Sequence, residues 1–150
     1  DTEEQLRAQL KRLLESQKMT EQEAECIRIR DIRRFVESRL GQRMKKAAMK
    51  KHLYREQPFV IQRNASMLDD GWKNETVLVQ GIIDAYFMEE EEIVLVDYKT
   101  DRVRRGQEQK LIDLYHVQLE DYARALERMT GKRVKEKIIY SFTLQKEILL

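Results

Sequence analysis

The stretch Gly81-Ile82-Ile83-Asp84-Ala85-Tyr86-Phe87-Met88-Glu89-Glu90-Glu91-Glu92-Ile93-Val94-Leu95-Val96-Asp97-Tyr98-Lys99-Thr100 reads as two strands around a charged tip. The strand segments run from Thr76 to Met88 and from Ile93 to Tyr98, and four glutamates separate them. If the glutamates form a hairpin tip, Met88 faces Ile93. Counting back from the tip then sets Asp84 opposite Asp97. Like charges opposed on one sheet face are destabilising, and a divalent cation between them removes the conflict. Lys99 lies two residues past Asp97 and projects to the same face. Two carboxylates and a lysine converging on one point suit metal-dependent cleavage of a phosphodiester.

Each acid alone has a plainer reading. Asp84 sits in the apolar run Val79-Gln80-Gly81-Ile82-Ile83-Asp84-Ala85, where a charge must be paired or bound to metal. An arginine partner would satisfy it as well. Gly81 leaves room for a ligand or another backbone. Asp97 ends the run Ile93-Val94-Leu95-Val96, which reads as a buried central strand; alone it could be a strand-end cap. The two acids and Lys99 together favour a site. Hard oxygen ligands suit Mg²⁺ or Mn²⁺.

Outward from this hairpin the chain reads as helices, three strands, a helix and a strand. Leu6, Leu10, Leu13 and Leu14 recur at helical spacing within residues 2 to 17. Thr20-Glu21-Gln22-Glu23 reads as a capping box opening a helix through Ala24, Ile27, Phe35, Val36 and Leu40 to Gly41. A basic helix follows from Gln42 to Lys51. Leu53 to Gln62 turns strand-like, with Pro58 suiting an edge or a strand end. Asn64 to Asn74 reads as a loop with its tip at Asp69-Asp70-Gly71, and Asp101 to Gln109 as a polar loop. Lys110 to Thr130 is an amphipathic helix ended by Gly131. Val134 to Leu144 is a strand, and Glu147 to Leu150 allows another. The fold class is α/β: a mixed central sheet flanked by helices, with an N-terminal helical segment. One domain spans 1–150, helical over 1–52 and basic from 28, with an αβ core over 53–150.

The chain has 150 residues, 41% hydrophobic and 37% charged, which is enough for one core under a highly charged surface. Net charge is only +2, so the overall balance does not announce a polyanion partner. From Arg28 to Arg55, however, eleven Lys or Arg stand against Asp31 and Glu37. This is either a solvated helical face or a phosphate-tracking surface. The single cysteine, Cys26, excludes an internal disulfide and a cysteine-bound iron–sulfur cluster, and fits a reducing compartment. No apolar run reaches transmembrane length and no signal peptide is evident. No G-x-x-x-x-G-K-[ST] loop is present, so an ATPase motor is not expected in these residues. The chain opens at Asp1 in helical sequence and reads as a fragment of a longer protein.

Gly81-Ile82-Ile83-Asp84, Asp97-Tyr98-Lys99-Thr100 and Gln118-Leu119-Glu120-Asp121-Tyr122 match, in order, G-x-x-D, D-Y-K-T and Q-x-x-x-Y motifs. Arg55-Glu56-Gln57-Pro58-Phe59 matches an R-E-x-P-F element. With these motifs the chain resembles the RecB-type nucleases of the PD-(D/E)xK superfamily, over about residues 55 to 122. Within them it most resembles the nuclease domains of bacterial ATP-dependent helicase–nucleases. The resemblance implies a restriction-endonuclease-like core and Mg²⁺- or Mn²⁺-dependent DNA cleavage. It makes Asp84 and Asp97 the metal-binding acids, the Tyr98 backbone carbonyl a further ligand, and Lys99 the catalytic lysine. Gln118 and Tyr122 then form the pair that organises the site and the DNA. Glu56 matches a family carboxylate, with a surface ion pair as its plainer reading.

The family's upstream G-x-x-H histidine has no counterpart. His52 and His116 are the only histidines and both are read as non-ligands, so the missing ligand is expected before Asp1. The implied setting is a bacterial helicase–nuclease that processes double-strand breaks in the cytoplasm, at the nucleoid. The implied partners are single DNA strands from a duplex end, helicase domains of a parent chain that use ATP, and a second subunit, with no membrane and no iron–sulfur cluster. The alternatives are a catalytically silent DNA-binding or structural module of the same fold, and a stand-alone endonuclease.

Overall fold

The computed structural model describes residues 2–15, 21–64 and 76–150. Three helices come first: α1 (Thr2–Glu15), α2 (Glu21–Glu37) and α3 (Arg39–Met49). Then follow β1 (Leu53–Asn64), β2 (Thr76–Glu89), β3 (Glu92–Lys99), α4 (Glu108–Thr130), β4 (Val134–Ser141) and β5 (Lys146–Leu149). The five strands form one sheet in the order β1-β2-β3-β4-β5. Only β3 and β4 run parallel, and α4 is the crossover that such a connection requires. The fold class is as read from the sequence, a mixed sheet between helices. The capping box at Thr20 and the 64–74 loop with its Asp69-Asp70-Gly71 tip lie outside the described residues, apart from Asn64, which ends β1.

Two apolar cores lie on the two faces of the sheet. Leu6, Leu10, Leu14, Phe35, Val36, Leu40 and Met44 of α1–α3 pack against Ala85, Phe87, Val94, Val96, Tyr98 and Tyr140. Leu111, Leu119, Ala125 and Leu126 of α4 pack against Phe59, Ile83, Ile93, Leu95 and Ile139. Residues 93–98 of β3 are buried throughout, as a central strand covered on both faces must be. Pro58 lies in β1, an edge strand of the sheet, where its missing N–H costs no ladder bond.

The expected helix to Gly41 is instead two helices that break at Ser38. Ser38 leaves the helical conformation (φ −67°, ψ 164°), and its Oγ accepts the Gly41 N–H at 3.1 Å as the N-cap of α3. Gly41 does not terminate a helix. A Cβ there would stand 2.1 Å from the Phe35 carbonyl oxygen, so glycine permits the close corner between α2 and α3. The apolar period runs on through the corner, which hides it from a sequence reading.

The hairpin register is the expected one, from Glu89↔Glu92 through Met88↔Ile93 to Ala85↔Val96. Glu90 and Glu91 make a two-residue turn, both with positive φ (51° and 69°). Such turns favour Asn or Gly. Basic residues surround this acidic tip. Arg43 pairs with Glu89 at 2.7 Å, Lys135 with Glu89 at 3.2 Å, Arg133 with Glu92 at 3.7 Å, and Lys132 with Glu91.

Candidate active site

Strict alternation would put residues 83 and 85 on one face of β2. Ile83 nevertheless packs with α4, while Ala85 packs with α1–α3. The same switch occurs across the pair in β1, where Leu53 joins the α1–α3 core and Phe59 the α4 core. Between them Glu56 takes φ 52°. The β1–β2 register is unbroken on either side, Arg55↔Ala85 and Gln57↔Ile83, so Glu56 lies across from Asp84. The ribbon rolls over at this rung. Helix α1 seals the roll: Gln9 Nε2 donates to the Asp84 carbonyl at 2.8 Å, and Arg55 reaches Gln5 Oε1 at 3.0 Å.

Beyond Ala85↔Val96 the next pair is Asp84 and Asp97. Asp84 Oδ2 accepts the Tyr98 N–H at 2.9 Å. Asp97 is 3% exposed, with Lys99 Nζ 2.8 Å from its Oδ2. That contact lies off the direction a hydrogen bond needs, so this buried oxygen has a charge beside it but no hydrogen bond. Burial first, and then the charge of Asp97, pushes the Asp84 carboxyl up to about 7. Burial also raises Asp97, against the lowering effect of Lys99. Two crowded, desolvated carboxyls, one with an unsatisfied oxygen, match the donor chemistry of a hard divalent cation. No trio of His, Cys, Asp or Glu is gathered for a metal among the described residues. Two carboxylates and a backbone carbonyl would leave the other coordination positions to water and phosphate, which Mg²⁺ accepts.

Lys99 Nζ donates to Gln118 Oε1 at 2.9 Å and lies 4.0 Å from the centre of the Tyr115 ring. Tyr115 is a site neighbour that motif reading missed. Its signal was its place three residues before Gln118, on the same helical stripe. Its hydroxyl donates to Asp101 Oδ2 at 2.6 Å. Tyr122, one turn beyond Gln118, packs edge-on against Phe59, with ring centres 5.0 Å apart. Burial, then the charges of Asp97 and Asp84, pushes its hydroxyl up to about 12. Phe59 lies over Gly81, where a Cβ would stand 3.0 Å from its ring. The space at Gly81 is thus taken by an aromatic side chain that in turn supports Tyr122.

Asp84, Asp97, Lys99, Gln118 and Tyr122 therefore converge. Glu56 shares with Asp84, Gln9, Arg12, Leu13, Ile82 and Tyr98 a cleft of about 630 Å³. Its carboxylate accepts from Arg12 at 2.7 Å, with both side chains about half exposed. The histidines stand apart. His52 lines a separate cleft with Glu89, Glu90 and Glu91, and exposed His116 sets Nδ1 3.1 Å from its own helix's Ile112 carbonyl.

Acids and a lysine at the end of a buried strand in a mixed sheet define a nuclease core, and residues 1–148 match the PD-(D/E)XK nuclease superfamily. The chain belongs to that superfamily. It is similar to the AddA subunit of the ATP-dependent helicase/nuclease from several bacteria. Identity is 38% over 150 residues with that of Clostridium novyi (strain NT), covering 97% of this chain and 12% of the relative. It is 43% over 144 residues with that of Acetivibrio thermocellus (strain ATCC 27405 / DSM 1237 / JCM 9322 / NBRC 103400 / NCIMB 10682 / NRRL B-4536 / VPI 7372), covering 93% and 11%. It is 41% over 141 residues with that of Thermoanaerobacter sp. (strain X514), covering 91% and 11%. The chain thus spans only 11 to 12% of the length of these curated relatives.

Proposed function

We propose that the chain is the DNA-cleaving part of an AddA-type helicase–nuclease and hydrolyses phosphodiesters of single strands with Mg²⁺ or Mn²⁺. It acts as one domain over 1–150, with residues 53–150 carrying the site and the N-terminal helices supporting it. The observation that carries this reading is the meeting of Asp84, Asp97 and Lys99 at one end of the sheet, with Lys99 bonded to Gln118.

Asp84, Asp97 and the Tyr98 carbonyl are the groups that hold the cation. When bound, it supplies Lewis acidity toward a phosphate oxygen and the counter-charge that the paired carboxylates lack. The Asp84 side chain is held by the Tyr98 N–H, and Gln9 holds its backbone carbonyl from the α1 side. Both keep the carboxylate from swinging away. Lys99 offers a fixed positive charge to the phosphoryl oxygens as negative charge builds there. Gln118 and the Tyr115 ring restrict where that ammonium can go. Tyr122 keeps its proton across the working pH range and can donate a hydrogen bond to the strand being cut.

In the cell this chemistry serves the processing of double-strand breaks in the bacterial cytoplasm, at the nucleoid. Helicase domains of a longer chain use ATP to feed the strand, and a second subunit completes the machine. The names of the relatives support this setting. The test is cleavage of a labelled single-stranded oligonucleotide by the helicase–nuclease that contains this chain, with Mg²⁺, with Mn²⁺ and with chelator. Cutting that needs the cation and is lost in Asp97→Ala supports the reading. Cation-independent cutting, or cutting unchanged by Asp97→Ala, overturns it.

A further inference from the structure

The loop between β3 and α4 places three arginines, Arg102, Arg104 and Arg105, next to the candidate site. All three are exposed, and none has a carboxylate within ion-pair distance among the described residues. The loop is nevertheless pinned along its length. Asp101 begins it, accepting the Tyr115 hydroxyl on its carboxylate and Thr143 Oγ1 on its carbonyl at 2.7 Å. Val103 packs into the α4 core between two of the arginines. Gln107 closes the far end, its N–H reaching the Arg104 carbonyl at 3.0 Å and its Oε1 accepting the Arg104 N–H at 3.3 Å.

Alternating burial and exposure on an anchored loop throws like charges outward. That arrangement repels itself unless an anionic partner spans it. The other basic stretch is placed differently. Arg43 is engaged by Glu89 and Glu136, Arg33 by Glu37, and Arg55 by Gln5. Lys46 and Lys50 line the cleft at the acidic hairpin tip, at the other end of β3 from Asp97. The arginine loop, by contrast, starts two residues after Lys99 and shares Tyr115 with it.

We infer that Arg102, Arg104 and Arg105 form the surface along which the sugar–phosphate backbone of a single DNA strand runs as it enters or leaves the site. The inference deepens the nuclease reading and rests on it. Guanidinium groups suit phosphates because their planar donor fork pairs two oxygens at once. The contact is with the backbone and carries no base preference.

The test is the salt dependence of binding by this chain to a labelled single-stranded oligonucleotide, measured with chelator present. Replacing Arg102, Arg104 and Arg105 together by Gln weakens binding and flattens the slope of log affinity against log salt by about 2, three contacts at roughly 0.7 each. A matched triple, Lys46→Gln with Lys50→Gln and Lys51→Gln, removes the same charge from the tip end and leaves the slope unchanged. Thermal melting confirms that both variants fold. Equal flattening by the two triples, no flattening by the loop triple, or no binding by the parent chain at low salt overturns the inference. No flattening would leave the loop to an acidic protein partner or to solvent. Cleavage by the parent helicase–nuclease is scored separately. A loop-dependent slope without cation-dependent cleavage sinks the nuclease reading and leaves the surface standing. Cleavage with an unchanged slope sinks only the surface.

Discussion

Asp84 Oδ2 accepts the backbone N–H of Tyr98 at 2.9 Å, so a side chain takes the place that the next rung of the β2–β3 ladder would fill. This bond fixes one carboxylate at the end of a sheet that has just rolled over, and it aims Asp84 toward Asp97. The site is thus a consequence of the point at which strand pairing stops. The cost is two desolvated acids close together, and that cost is measurable.

Asp84→Asn should stabilise the cation-free chain at pH 8 and leave it unchanged near pH 4. A carboxyl raised to about 7 in the folded state binds its proton more tightly there than in the unfolded chain. Its stabilising contribution is full below about 4 and is lost as pH rises to about 7, at roughly 1.4 kcal/mol for each tenfold difference in proton affinity. Asn keeps the acceptor for the Tyr98 N–H and removes the charge. Urea unfolding at the two pH values, with and without Mg²⁺, reads the effect. Mg²⁺ should restore the parent at pH 8 and not the variant. Equal stability of the two proteins at pH 8 without cation would refute the strained-pair account.

Asp97→Ala should abolish cleavage in the full helicase–nuclease and spare unwinding. Asp97 sits at the end of β3, and the chain carries no phosphate-binding motor loop. Nuclease and helicase rates from one preparation decide it; a variant that cuts at the parent rate removes Asp97 from the site.

Lys99→Ala should slow cleavage by on the order of 10²-fold or more while changing metal affinity little, because an ammonium stabilises charge but does not ligate a cation. Tyr115→Leu should act on the same step more mildly. Loss of a cation–π contact of about 0.5 to 2 kcal/mol corresponds to a few-fold to roughly 30-fold. Tyr115→Phe keeps the ring and should recover most of the rate. Calorimetric metal titration beside single-turnover cleavage separates the two effects. A Tyr115→Leu enzyme at full rate would show that Gln118 and Asp97 hold Lys99 unaided.

The hairpin register was legible because its tip is marked by charge and its strands by continuous apolar runs. Once Met88 faces Ile93, the acids follow by counting. Helix α4 was legible from its period, and Gln118 and Tyr122 came with it. The roll at Glu56 and Asp84 was not legible, since a positive φ at a glutamate leaves no trace in composition. Gln9 and Arg12 could not be tied to the site because the contacts of α1 join residues far apart in sequence. Tyr115 reads as an ordinary amphipathic aromatic until Lys99 is seen beneath it. The basic stretch from Arg28 was read by density of charge, and the structure spends several of those charges on glutamates and amides.

Glu56→Gln separates the two readings of that residue. Its ion pair with Arg12 is about half exposed on both sides, so its loss should change stability by under about 1 kcal/mol. If Glu56 serves only that pair, cleavage stays at the parent rate. If it serves the cleft it shares with Asp84, cleavage falls about tenfold or more with no matching change in melting, an effect of over ~1.4 kcal/mol on the barrier alone. We expect the second outcome, because Glu56 lies on the rung facing Asp84.

The seating of α4 rests on a buried ion pair that sequence reading passed over. Arg63 at the outer end of β1 meets Asp121, Nη2 to Oδ2 at 2.9 Å and to Oδ1 at 3.1 Å. Asp121 is 5% exposed, and Arg63 Nε is buried without a partner. The pair lies between Gln118 and Tyr122 along the helix, so it sets the height of both above the sheet. Removing one partner leaves the other charge stranded out of water. Asp121→Ala should therefore cost about 3 to 5 kcal/mol, and Arg63→Met with Asp121→Leu should recover most of it. Stability and cleavage need not recover together. The double variant restores packing without the directional tie, so Gln118 should hold Lys99 less firmly and the cleavage rate should stay below the parent's. Urea unfolding and single-turnover cleavage on the three proteins test this. A double variant that regains the full rate would show that the pair serves stability alone.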